Sequence, residues 1–195
     1  MKRAVGLLLL SLPVLAACGL ADDGERLRRL VGEGNLPQVE VHPSESIRID
    51  LIVDEPEGRP HARHLEFNIG ADHSLGVRRY RVERALGPPY LEPVMEAEER
   101  VRLPGATAAD IRKRLAVFRP QNLTAEGPFV MPKGCGFITH NPSEAVIEFT
   151  APNKMIGLFV VQEGCDHENV APLKDELRRI LARLPQSKAA QGFNW

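Results

Sequence analysis

Apolar residues recur at every second position through much of residues 47–103 and again at 145–151, a period that suits a strand with one buried face and not a helix. Ile47, Ile49, Leu51 and Val53 alternate with Arg48 and Asp50, and Leu65, Phe67 and Ile69 resume the pattern after a turn-rich stretch at 54–60. Together they predict an antiparallel hairpin. A third strand is expected over 77–86 with Tyr80 and Val82 inward, and a fourth over 95–103 with Met95, Ala97, Val101 and Leu103 inward. Arg79, Arg81 and Glu83 on one, and Glu96, Glu98, Arg100 and Arg102 on the other, have the composition of a solvated sheet face.

Helical spacing takes over after that. Thr107 and Asp110 mark a helix start, and Ile111, Leu115 and Phe118 line one side up to Pro120. The breakers Pro120, Gly127, Pro128, Pro132, Gly134, Gly136 and Pro142 predict a long loop to about 143. Ala145, Ile147, Phe149 and Ala151 then alternate, Pro152-Asn153 marks a turn, and 156–161 is apolar on both faces, as in a central strand covered by a helix. That helix follows, with Asn169 as its cap, Pro172 in its first turn, and Leu173, Leu177, Ile180, Leu181 and Leu184 as its stripe. Strands then helix, repeated, predict an α+β fold, mainly antiparallel, with the C-terminal helix packed on one face.

The first residues form an export leader: Lys2 and Arg3, an apolar run over 4–15, then Ala16 and Ala17. The run is too short to span a membrane, which takes about 20 apolar residues. Leu15-Ala16-Ala17-Cys18 resembles the lipobox of bacterial lipoproteins, in which cleavage precedes a cysteine that carries lipid. The resemblance implies a Cys18 anchored by acyl chains in the cell envelope. With Gly19 after it, the expected site is the outer membrane, facing the periplasm. A secretory cut after Ala21, behind Gly19-Leu20-Ala21, is the competing reading and leaves Cys18 without a purpose. The expected organisation is a leader over 1–17, a lipidated tether over 18–43 with a short helix at 22–31, one domain over 44–185 and a flexible tail over 186–195.

An exported chain sits in an oxidising compartment, so the remaining pair, Cys135 and Cys165, reads as one disulfide. A hairpin of 137–140 with 145–151 would hold the two cysteines over roughly 20 Å apart. The bridge therefore predicts an irregular loop over 134–143 beside the strand end that reaches Cys165. Two of the 25 basic residues lie in the leader, so the mature chain has 23 against 26 acidic ones, a net charge near −3. Such a balance disfavours nucleic acid as a partner. The resemblance to the lipobox implies the membrane as a partner, through the lipid, and the tether with a modest domain leads to the expectation of an envelope protein as another.

The catalytic motifs sought are absent: there is no G-x-S-x-G elbow, P-loop or dinucleotide fingerprint. Cys135 between two glycines, with His140 following, has the residue types of a thiolate nucleophile and its base, the alternative being a small envelope hydrolase or transferase. His61, His64 and His73 are the histidines that could offer three nitrogen ligands to a metal, without any recognised spacing. The sequence thus favours a non-catalytic binding or structural domain that needs no cofactor.

Overall fold

A computed structural model describes residues 24–32, 39–54, 62–84, 91–121, 129–135, 143–152, 154–162, 164–165 and 168–195. A short helix α1 over 24–28 comes first. The strands β1 (Ser46–Asp54), β2 (Ala62–Ile69), β3 (Ser74–Arg84) and β4 (Leu91–Arg102) follow as a meander. Helix α2 (Gly105–Leu115) with a 3-10 turn (Ala116–Phe118), β5 (Phe129–Val130), the hairpin β6 (Ser143–Ala151) and β7 (Lys154–Gln162), and helix α3 (Val170–Leu181) complete the order. The sheet runs β4-β3-β2-β1-β6-β7-β5. Its first six strands are antiparallel, and β5 joins β7 in parallel.

Register decides which side chains meet. Ile47 faces Ile69 and Phe149, and Ile49 faces Phe67 and Ile147, so the odd-numbered side chains of β1 build a buried apolar row with their neighbours. Leu75 and Val77 of β3 extend it. These residues share one core with Ile111, Leu115 and Phe118 and with Leu173, Leu177 and Ile180, the predicted stripes of the two helices. Burying each such side chain contributes roughly 1.5–3 kcal/mol.

Tyr80 and Val82 were expected inward, yet the core side of β3 is the odd one, and Tyr80 lies on the opposite face beside His64. Both parities of β3 carry apolar residues, so periodicity alone chose wrongly. Met95 is likewise half exposed rather than inward. Arg79 pairs with Ala97 and Tyr80 with Met95, which leaves Glu96 as the extra residue of a bulge and reverses the alternation before it.

The expected long loop after Pro120 contains β5, whose Phe129 and Val130 pair with Leu158 and Phe159. Two residues are too few for a periodic signal. Accordingly β7 lies between β6 and this short strand, and the centre of the sheet is β1. Helix α2 starts at Gly105, two residues before Thr107, with Pro104 at the cap position and no side-chain cap. Asn169 does sit at the cap of α3, but its amide donates to the Lys133 carbonyl at 2.8 Å and ties α3 to the segment bearing Cys135.

The described residues that flank the sheet in sequence, 24–32, 39–41 and 186–195, make contacts with the domain. Leu27, Val31 and Val41 are buried in the core, so the short helix expected over 22–31 lies against the domain. The Gly32 amide donates to the Met131 carbonyl, and the Arg28 guanidinium to that of Val117. At the other end the expected flexible tail is held. Ser187 Oγ and the Lys188 amide both donate to Glu99, and Trp195 Nε1 donates to the Glu144 carbonyl at 2.9 Å. Ala189 is buried.

Cys135 and Cys165 form the disulfide, their Cα atoms 5.8 Å apart. It closes a loop of 30 residues of sequence separation. Replacing both cysteines by alanine is expected to lower the unfolding free energy by about 3–4 kcal/mol, read as an earlier denaturation midpoint.

Candidate functional site

The even-numbered face of the sheet, opposite the apolar core, carries a row of charges. Arg48 of β1 donates from Nε to Glu148 of β6 at 3.0 Å and approaches Glu66 of β2 at 3.6 Å. Glu66 meets Arg78 of β3 at 3.5 Å, Arg78 meets Glu98 of β4 at 3.4 Å, and Glu98 meets Arg100 at 3.1 Å. Glu148, Arg48, Glu66, Arg78, Glu98 and Arg100 thus alternate in sign across five neighbouring strands, and their charges cancel. Strand pairing alone makes this possible, because Arg48 sits opposite Glu148, Glu66 opposite Arg78, and Arg78 opposite Glu98.

The ladder is deepest in the middle. Glu66 is buried and also accepts a bond from the Asn68 amide, whereas Arg100 at the sheet edge has a side chain 74% exposed. Burial works to lower the Arg48 pKa, but the Glu148 hydrogen bond and the nearby charges of Glu148, Glu66 and Asp50 outweigh it and hold the guanidinium above its ordinary value. At the edge, the hydrogen bond from Arg100, helped by Arg78, holds the Glu98 carboxyl below its ordinary value.

Beside the ladder lies a second cluster. The buried carboxylate of Asp50 meets His64 Nδ1 at 3.1 Å and accepts from the Tyr80 hydroxyl at 3.3 Å. The His64 ring stacks on Tyr80 with centroids 4.6 Å apart. Burial, then the charges of Asp50 and Glu66, push the Tyr80 phenol far above its ordinary pKa. At the far end of β2 the same face opens into a depression of about 470 Å³, lined by Asn68, Asp72, Ser74, Gly76, Arg78 and Arg100. Gly76 leaves its floor bare: a Cβ there would meet only the Asn68 Cβ, at 3.7 Å, an ordinary contact.

The residues singled out from sequence fall in different places. His64 joins this face, and His73 occupies the β2–β3 turn with φ +65°. At about 3.3 Å per strand residue, the five steps from His64 to Ile69 alone put the two histidines at opposite ends of β2. His61, His140 and Cys18 lie outside the described residues. Among the described residues no group of three or more His, Cys, Asp or Glu side chains is placed to hold a metal ion. Cys135 has its sulfur in the bridge with Cys165, so a thiolate there would require that bridge to open.

Asp50, Glu66, Arg48 and Arg78 were not singled out from the sequence. Each looked like one of many solvated strand residues, and only their registration across strands makes them a cluster. The chain matches no protein-family model and no curated protein. The six charges of the ladder sum to zero and border an open polar depression.

The folded state holds the Tyr80 proton more tightly than the unfolded chain does. Its contribution to stability is present below the unfolded phenol pKa and is lost as pH rises through the folded one. In an alkaline titration of tyrosinate absorbance, a late component belonging to Tyr80 is expected, and Tyr80→Phe should remove it. A single early transition that the substitution merely shrinks would contradict the assignment.

Proposed function

We propose that this chain is a lipid-tethered protein of the bacterial envelope, whose folded domain binds a protein partner through its even-numbered sheet face and performs no chemistry of its own. The observation that carries the binding role is the neutral charge ladder. Its six charged groups are already paired within the sheet, so a docking surface presents preorganised donors and acceptors at little further ordering cost. In this reading α3 lies on the odd-numbered face, which its shared core with Ile47, Ile49 and Phe149 supports. The other face is then left for the partner.

The tether is the part supported by the leader. A charged start, a short apolar run and Leu15-Ala16-Ala17-Cys18 are what a lipobox supplies, and Gly19 favours the outer membrane, with the domain in the periplasm. A disulfide suits that compartment. Hydrolysis or transfer by Cys135 is less well supported, since its sulfur is bridged.

Two substitutions test the two halves separately. Cys18→Ser should leave the chain unprocessed and without lipid, which mass analysis reads directly. Normal maturation and retention in the membrane fraction would refute the tether. Gly76→Leu should fill the depression and leave thermal stability within a few degrees. It should also cut capture of the envelope partner from solubilised membranes by roughly tenfold, about 1.4 kcal/mol. Capture unchanged by Gly76→Leu would move the binding surface elsewhere.

A further inference from the structure

Strand β4 ends the sheet. Among the described residues it pairs with β3 on one side and with no strand on the other. A free edge of this length is a template for another strand, and proteins usually blunt it. Pro93 does so for the first residues, because it has no N–H to offer. The bulge at Glu96 does so for the next, and from Ala97 to Arg102 neither proline nor bulge interrupts the strand. Within it the order Ala97-Glu98-Glu99-Arg100-Val101 places an acid and a base, and two apolar residues, at mirror positions about Glu99.

We infer that β4 is a self-association edge on which the partner is a second copy of this chain, the two strands running antiparallel about Glu99. In that register Glu98 of each copy faces Arg100 of the other and Ala97 faces Val101, while Glu96, turned by the bulge toward Arg79 and Arg81, takes no part. Glu98 and Arg100 are the terminal members of the ladder, and both stand at the edge, with Arg100 the more exposed of the two. Pairing would therefore carry the alternation of sign through the twofold axis without a break. On the even-numbered face, sliding the register by two residues puts Glu98 against Glu98 or Arg100 against Arg100, whereas the register centred on Glu99 leaves no like pair there; its one like pair, Glu99 with Glu99, falls on the odd-numbered face. Glu99 meets its own copy on the axis, and its carboxylate is already engaged by Ser187 Oγ at 2.8 Å and the Lys188 amide at 2.9 Å. The overlap is short, below the size of a standard interface, so the association is weak and favoured where chains are concentrated. The inference goes beyond the envelope reading and does not rest on the lipid.

The test uses full-length chains bearing two different tags in one cell, with capture through one tag and detection of the other. Wild-type copies should capture each other. Glu98→Arg with itself and Arg100→Glu with itself place like charges across the axis, and capture should fall by about tenfold or more. Glu98→Arg mixed with Arg100→Glu restores every opposite pair, so capture should return. That return also shows that both variants fold. Failure of wild-type capture, single variants that associate like wild type, or a mixed pair that stays apart would each overturn the proposal. A second measurement is independent of charge and lipid. In a Cys18→Ser chain, Glu99→Cys should give an oxidised dimer on a non-reducing gel, because residues facing each other across antiparallel strands lie within bridging distance. Ala97→Cys, which faces Val101, should not. Equal dimer from both, or none from Glu99→Cys, rejects the register.

Discussion

Strand β1 is hydrogen-bonded on both sides, to β2 through a short connection and to β6, which arrives about a hundred residues later in the chain. Its odd-numbered side chains therefore contribute to a core drawn from the meander and from the C-terminal hairpin at once. The start of β1 is held by charge as well as by apolar contact. Arg112 of α2 donates to the Glu45 carbonyl at 2.7 Å and to the Gly70 carbonyl at 2.8 Å. Arg119 donates from Nε and Nη2 to the two oxygens of the Glu45 carboxylate, at 3.0 and 2.8 Å, within a buried setting. Removing one partner of such a pair would leave an uncompensated buried charge, which is far more costly than the pair is stabilising. The network thus constrains where α2 sits relative to the beginning of β1 and the β2–β3 turn.

That constraint has consequences on the other side of the sheet. Once odd positions of β1 are committed to the core, even positions of every paired strand face the opposite way, and a one-residue slip would exchange the two sets. Arg48, Asp50, His64, Glu66, Arg78 and Tyr80 are brought together for this reason alone. Buried carboxylates at Asp50 and Glu66 would be costly if unpaired, and each has its donors or cations at hand. The bulge at Glu96 then changes the alternation in β4 and sends the Glu96 carboxylate to Arg79 and Arg81. The C-terminal segment closes over the same region through Glu99 and the Gln191 carbonyl, which accepts from Arg79.

Legibility followed the length of the repeating signal. The rows Ile47-Ile49-Leu51 and Ala145-Ile147-Phe149, and the stripe Leu173-Leu177-Ile180, were readable because each repeats its period several times. The bridge Cys135–Cys165 was readable from the even count of cysteines left after Cys18 and the oxidising compartment that the leader leads one to expect. Elements carried by two residues or by single contacts were not: β5, the turn of Tyr80 away from the core, and the docking of Trp195 on Glu144 depend on partners distant in sequence. Of the candidate site, His64 was noticed, but for its nitrogen and without its partners Asp50 and Tyr80.

By itself the sequence determined the class of each long element, the antiparallel character of the sheet and the pairing of the two cysteines, because these follow from local period, chain reach and redox setting. Tertiary structure alone decided which face of β3 turns inward, which charges become neighbours and how residues 24–32 and 187–195 are held. The physical reason is that strand register is a property of pairs: a residue's period is written in its own segment, but the residue opposite it is chosen by a different part of the chain.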